Sequence, residues 1–217
     1  MSELFDEVDE DVRRDQLKKL WDQYSIYIIA AALLIIAAVG GWRGYQYLEA
    51  KKAAEAGAAF DRAVELSEQN KHAEAEAAFA DLAAKAPSGY RMLAKLRTAA
   101  EVANRDPQAA AKMFDDIAAD RNLGAAEQDL ARIRAAQLLL ETSNYPNMLQ
   151  RLEAATTPTS TFRHTARELL ALSAWKANDA AAARRWLDLI ANDGETPPSL
   201  RSRAEALQAL LPPVAKS

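Results

Sequence analysis

Cysteine is absent from this 217-residue chain. Its absence removes disulfides, thiolate metal sites and a lipoprotein anchor built on an acylated cysteine, and it fits any compartment. Histidine is nearly absent too: His72 and His164 lie more than ninety residues apart. Neither has a partner at metal-ligand spacing, and no Ser–His–Asp arrangement can be built around either, so both are expected at solvated surface positions. Glycine is scarce, at seven residues, and forms no phosphate-cradling loop. Asp115, Asp116 and Glu153 read as carboxylates on solvated helix faces. No catalytic residue, metal ligand or cofactor is expected, and the chain does not read as an enzyme.

Basic charge is not concentrated anywhere. From Leu48 onward there are 22 Lys/Arg and 23 Asp/Glu, a nearly neutral balance that argues against nucleic-acid binding. Strand-type alternation is missing and alanine is abundant, so the expected class is all-α.

Against this polar, Ala-rich background one apolar run stands out. Gln23 to Trp42 is twenty residues without a charge. At about 1.5 Å per residue it is roughly 30 Å long, the thickness of a bilayer's hydrocarbon core. Tyr24, Ile28, Leu33, Leu34, Ile35, Ile36, Val39 and Trp42 are the residues expected to meet lipid. Trp21, Tyr24 and Tyr27 at one end, and Trp42, Tyr45 and Tyr47 at the other, match interfacial aromatic belts.

A cleaved signal peptide is the rival reading, with Ala38-Val39-Gly40 as a passable cleavage site. It usually has a short basic leader, whereas here the leader exceeds twenty residues and carries Glu3, Asp6, Glu7, Asp9, Glu10, Asp11 and Asp15. Orientation follows Lys and Arg. Arg13, Arg14, Lys18 and Lys19 precede the run and Arg43, Lys51 and Lys52 follow it, a bias of four to three toward a cytoplasmic amino terminus.

The rest of the chain repeats. Turn-like stretches around Asn70, Asn104, Asn144 and Asn178 are spaced 34, 40 and 34 residues apart. Asparagine tolerates the left-handed backbone that ends helices, so these read as tight turns between paired helices. After each turn comes a small or slim residue and, four positions later, a large one: Ala75 and Phe79, Ala110 and Phe114, Met148 and Leu152, Ala182 and Trp186. Positions i and i+4 share a helix face. The small residue admits a neighbouring helix and the large one fills the space between pairs.

Helix pairs are expected over about 49–87, 90–121, 125–155 and 160–192. A last helix, Ser199 to Leu211, would carry Leu200, Ala204, Leu207 and Leu211 on one face, with Ser199 as N-cap and Pro212-Pro213 as its end. It reads as the cap that an open helical stack requires. The expected organisation is an acidic, mobile tail with its lead-in (1–22), an anchor (23–47) whose helix ends near Leu48, and a helical-repeat domain (48–217). The first helix of each pair lines the concave face of such a stack, which places Phe60, Lys95, Gln137 and Arg167 as candidate groove residues.

The helix-turn-helix period, with Ala63, Ala75, Phe79 and Pro87 in the first unit, resembles the tetratricopeptide repeat. The later units are degenerate, with Met148 where alanine is usual. The wider order also resembles a family. A basic-aromatic lead-in (Arg13-Arg14-Asp15-Gln16-Leu17-Lys18-Lys19-Leu20-Trp21) precedes a span closing in Gly41-Trp42-Arg43. The stretch from Ala53 to Val64 and a late element, Asn178 to Trp186, follow. This order resembles the YfgM-type ancillary translocon subunits of Gram-negative bacteria. The resemblance implies a single-pass inner-membrane protein with a cytoplasmic amino terminus and a periplasmic repeat domain. The implied partners are the SecYEG translocon, a membrane-anchored periplasmic chaperone and exported polypeptides. A cytoplasm-facing scaffold for another membrane complex is the alternative.

Overall fold

The computed structural model describes the backbone from Glu3 to Pro212, with the side chains of Lys18 and of Trp21 to Pro212. The ends expected to start the acidic tail and to close the repeat domain, Met1, Ser2 and residues 213–217 with Pro213, lie outside the described residues. Among the described residues the regular structure is helical throughout. The helices are α1 (Glu3–Glu68), α2 (His72–Lys85), α3 (Ser88–Val102), α4 (Pro107–Ala118), α5 (Ala125–Leu139), α6 (Tyr145–Leu152), α7 (Arg163–Lys176), α8 (Ala180–Ala191) and α9 (Pro198–Leu210). A 3-10 turn, Glu153–Thr156, extends α6. Two compact units divide between Ala54 and Glu55.

The first unit is the greater part of α1. Its helix already includes most of the acidic segment. It also runs past Leu48, where the anchor helix was expected to end, without a break as far as Glu68. The physical reason is the absence of any proline between Gln23 and Glu68 and the alanine-rich composition after Lys52, which favours helix over that stretch as a whole. Within this helix the stretch from Trp21 onward contains a window of mean hydropathy 2.2 with none of it buried. The large apolar side chains of the run are open: Ile26, Leu34 and Ile36 are each more than 60% exposed. A helix of that length and composition is compatible with a membrane anchor.

The second unit holds the helix pairs. The last turns of α1 pack on α2 through Ala56, Ala63, Ala75, Phe79 and Leu82, with Ala94 of α3 closing the cluster. Ala75 and Phe79 are wholly buried, and the Phe60 ring meets Phe79 edge-on with centroids 5.2 Å apart. Ala110 and Phe114 of α4, Met148 and Leu152 of α6, and Ala182 of α8 are likewise buried. Trp186 is half-buried and packs against the core clusters on both sides of it, between pairs as expected, while Leu187 beside it is wholly buried. Its indole N–H donates to the Tyr145 hydroxyl at 2.9 Å, joining α8 to α6. Tyr145→Phe keeps the ring and loses that bond. Thermal unfolding followed by circular dichroism should show a loss of about 1 kcal/mol.

The turns use asparagine in different ways. Asn70 and Asn178 have φ of 60° and 58°. Each is followed by an amide that reaches back five residues, Lys71 to the Leu66 carbonyl and Asp179 to the Ala174 carbonyl, both at 2.9 Å. This is the left-handed helix ending that Asn tolerates. Asn144 does something else: it has extended backbone and caps α6 by accepting from the Asn147 amide at 3.0 Å. Asn104 is not left-handed either; its side-chain amide donates to the Glu101 carbonyl. Caps on α4 and α8 come from Asp106 and Asp179, whose carboxylates accept from backbone amides of the first turn.

The final helix buries Leu200, Ala204 and Leu207, and Leu211 just beyond it, against Leu187 and Ile190 of α8 and Ala171 of α7. Its start corrects the expected N-cap. Pro197 holds that place without a side-chain bond, Pro198 begins the helix, and Ser199 lies inside it. Proline's fixed φ suits the first helical position, so no hydroxyl cap is required.

Candidate functional site

The two histidines are not where the sequence places them. His164 is buried. Its Nδ1 lies 3.1 Å from the Thr196 hydroxyl, and that hydroxyl donates to the Ile190 carbonyl at 2.7 Å. The single hydroxyl proton is therefore spent, so Nδ1–H of His164 is the donor in their contact. Burial first, then the Arg163 charge, holds the His164 pKa below its ordinary value. His72 is half-buried, with Nδ1 2.7 Å from a carboxylate oxygen of buried Glu101.

Ser67 donates to the other Glu101 oxygen at 2.6 Å. Serine, glutamate and histidine are thus together, in an order unsuited to nucleophilic catalysis. The hydroxyl proton points at the Glu101 carboxylate, which stands between the serine and His72, so the imidazole does not take the place of a triad base at the serine oxygen. The group ties the α1–α2 turn to the end of α3. Asp115, expected on a solvated face, accepts a two-pronged contact from Arg151 at 2.9 and 2.7 Å. Among the described residues no cluster of three or more His, Asp or Glu is placed to hold a metal ion.

What the second unit does offer is a groove. The final turns of α1, then α3 and α5, are the first helices of three successive pairs, and they enclose an open cavity of about 580 Å³. Its walls are Phe60, Leu93, Leu96 and Ala100 on one side and Leu130 and Leu138 on the other, with buried Phe114 also lining it. Among the described residues Arg97 and Arg134 are its only charged lining residues, and Gln137 adds an amide. A cavity of this volume and mostly apolar lining is of the kind that takes up a few side chains of a ligand or a chain segment. A second depression of about 700 Å³ lies among α4, α5 and α6. Its arginines are already engaged, Arg151 by Asp115 and Arg132 by Asp129.

Of the four candidate groove residues, the structure brings Phe60 and Gln137 to this cavity. Lys95 is a correction. It faces a separate depression with Ala80, Thr98 and Met113, and its ammonium lies 3.7 Å from Asp120. At about 100° per residue, a position two away from Arg97 is on nearly the opposite side of α3.

Arg167 is a second correction. It is 6% exposed, and its guanidinium donates to the Thr156 and Leu189 carbonyls and to Asp193. Asp193 also accepts from Arg163 at 2.8 Å, and this contact above all holds the carboxyl well below the usual carboxylate range. Arg163 pairs with Glu195 as well, and the two carboxylates raise its pKa further. The network is structural: it clamps the α8–α9 connection onto α7. The residues missed were Arg97 and Arg134. Their signal was present, since Leu93, Leu96, Arg97 and Ala100, and Leu130, Arg134, Gln137 and Leu138, each follow helical spacing along one face.

Compared with known proteins, residues 18–184 match a family model described as a tetratricopeptide repeat-like domain. The match takes in the apolar run as well as the helix pairs up to α8. No curated protein and no solved structure matches the chain.

Proposed function

Because this chain belongs to the tetratricopeptide repeat-like domain family, we propose that it is a membrane-anchored interaction protein serving as an ancillary subunit of the SecYEG translocon. Domains of this family are generally non-catalytic scaffolds. The observation that carries the reading is the pairing, in one chain, of an exposed apolar helix long enough to span a bilayer with an open apolar groove in the repeat unit. The resemblance of the lead-in, the closing Gly41-Trp42-Arg43 and the late Asn178–Trp186 element supports the translocon assignment. It also supports a membrane-anchored periplasmic chaperone and exported polypeptides as the other partners.

The mechanism is one of effective concentration. A span that keeps the repeats beside a channel exit raises the local concentration of the groove to the millimolar range, so weak binding suffices. Emerging segments would be held briefly and passed on to the chaperone. A cytoplasm-facing scaffold is the second reading; it needs the opposite topology, which the near-equal flanking charges, four before the apolar run and three after, leave open.

Protease accessibility of a carboxyl-terminal tag in intact spheroplasts separates the two. Digestion of the tag before the membrane is broken is the expected outcome. Protection until lysis would place the repeats in the cytoplasm and replace the translocon reading with the scaffold.

A further inference from the structure

The groove is charged in one sense only. The chain as a whole carries a formal net charge of −4, with 31 Asp/Glu against 27 Lys/Arg. Yet among the described residues the groove lining holds two arginines and no carboxylate. The other arginines of the repeat unit are mostly engaged. Arg105, Arg132, Arg151, Arg163, Arg167 and Arg203 each have a carboxylate partner. Arg97 and Arg134 have neither an ion pair nor a side-chain hydrogen bond among the described residues, and both are exposed. Two unpaired guanidinium groups thus flank an apolar floor made by Leu93, Leu96, Leu130 and Leu138.

We propose that this groove takes an internal acidic, amphipathic segment of a partner protein, its apolar side chains on the leucine floor and two separate carboxylates on Arg97 and Arg134. This rests on the reading of the chain as an interaction scaffold and names the chemistry of its ligand. Three features select this occupant. The arginines stand on different helices, α3 and α5, both of which line the groove. Two carboxylates along a segment match that arrangement better than one terminal carboxylate. The floor requires apolar side chains between the charges, which a phosphate backbone does not supply, and two cations are too few for a nucleic-acid track. Arginine's planar fork also suits side-chain carboxylates, which it can bind through paired hydrogen bonds.

The test uses the full chain in nanodiscs of phosphatidylcholine. The probe is a fluorescent peptide with leucine and glutamate at helical spacing, acetylated and amidated so that it has no terminal charge. A matched peptide carries lysine in place of glutamate. The acidic peptide should bind and the lysine peptide should not. Arg97→Glu with Arg134→Glu should weaken binding about 30-fold. Arg97→Lys with Arg134→Lys should keep most of the affinity. Raising salt to 1 M, where the Debye length falls to about 3 Å, should weaken the wild type, strengthen the double-glutamate variant by screening its repulsion, and leave Arg97→Gln with Arg134→Gln nearly unchanged.

Both arginines lack partners, so thermal unfolding of the variants should match that of the parent. If the glutamate pair unfolds, Arg97→Gln with Arg134→Gln carries the same comparison. Equal binding of the two peptides, unchanged affinity in a folded variant, or displacement of the peptide by anionic vesicles would each overturn the proposal. None of these outcomes alters the protease result, so failure of the ligand chemistry and failure of the topology are read separately.

Discussion

Replacing Leu34 and Ile35 together with aspartate is expected to move the chain from the membrane pellet to the soluble or aggregated fraction. The magnitudes decide it. Eight large aliphatic residues, Ile26, Ile28, Ile29, Leu33, Leu34, Ile35, Ile36 and Val39, supply the drive for insertion. At about −0.5 kcal/mol each their sum is about −4 kcal/mol, and the alanines add little. Two aspartates near the middle add about 6 kcal/mol and remove about 1 kcal/mol of the favourable term. The balance then turns against insertion. Leu34 is 71% and Ile35 63% exposed, so neither substitution disturbs packing within the folded chain. Leu34→Ala with Ile35→Ala is the control and should remain membrane-bound. Membrane partition after alkaline carbonate extraction reads both. Retention of the double aspartate variant as an integral protein would contradict the anchor.

Legibility in the sequence followed the range of the interactions. The helix pairs could be read because each turn is set within a few residues: asparagine closes two helices in the left-handed backbone, and aspartate or asparagine caps the next ones. The interior positions Ala75, Phe79, Ala110, Phe114, Met148 and Leu152 follow the four-residue spacing of one helix face, also a local rule. What failed depends on partners far along the chain. Nothing near Arg167 announces that Asp193, 26 residues later, will hold it inside. His164 reads as a surface residue until Thr196 is brought against it, 32 residues on.

The groove candidates show a finer limit. Lys95 and Arg97 differ by two positions, and that difference separates a wall residue from one on the far side of the helix. The continuation of α1 beyond Leu48 had a local signal, since no breaker follows the apolar run. A change from apolar to polar composition marks where a bilayer would end, and it carries no information about where a helix ends.

Asp193→Ala is expected to produce the largest loss of stability within the repeat unit. Among the described residues the substitution removes the only carboxylate that meets Arg167, whose side chain is 7% exposed. It leaves that guanidinium with backbone carbonyls alone and strips Arg163 of one of its two partners. Leaving a buried cation without its counter-charge costs about 3 kcal/mol, or roughly 10 °C in a unit of this size. Asp193→Asn should recover a part, because the amide oxygen still accepts hydrogen bonds.

The pH dependence has a definite sign. The Asp193 carboxyl is depressed in the folded state, so its contribution is complete above about pH 4 and is lost as pH falls further. The buried neutral His164 is depressed as well, from an ordinary value of 6.5. Its unfolded form therefore takes up a proton first, and stability declines as pH falls below that value. Thermal unfolding at pH 7.5, 5.5 and 3.5 should show two successive losses in the parent. Asp193→Ala should show a smaller second loss than the parent. A variant as stable as the parent at pH 7.5 would mean that water replaces the carboxylate at Arg167 and that the clamp between α7 and the α8–α9 connection is dispensable.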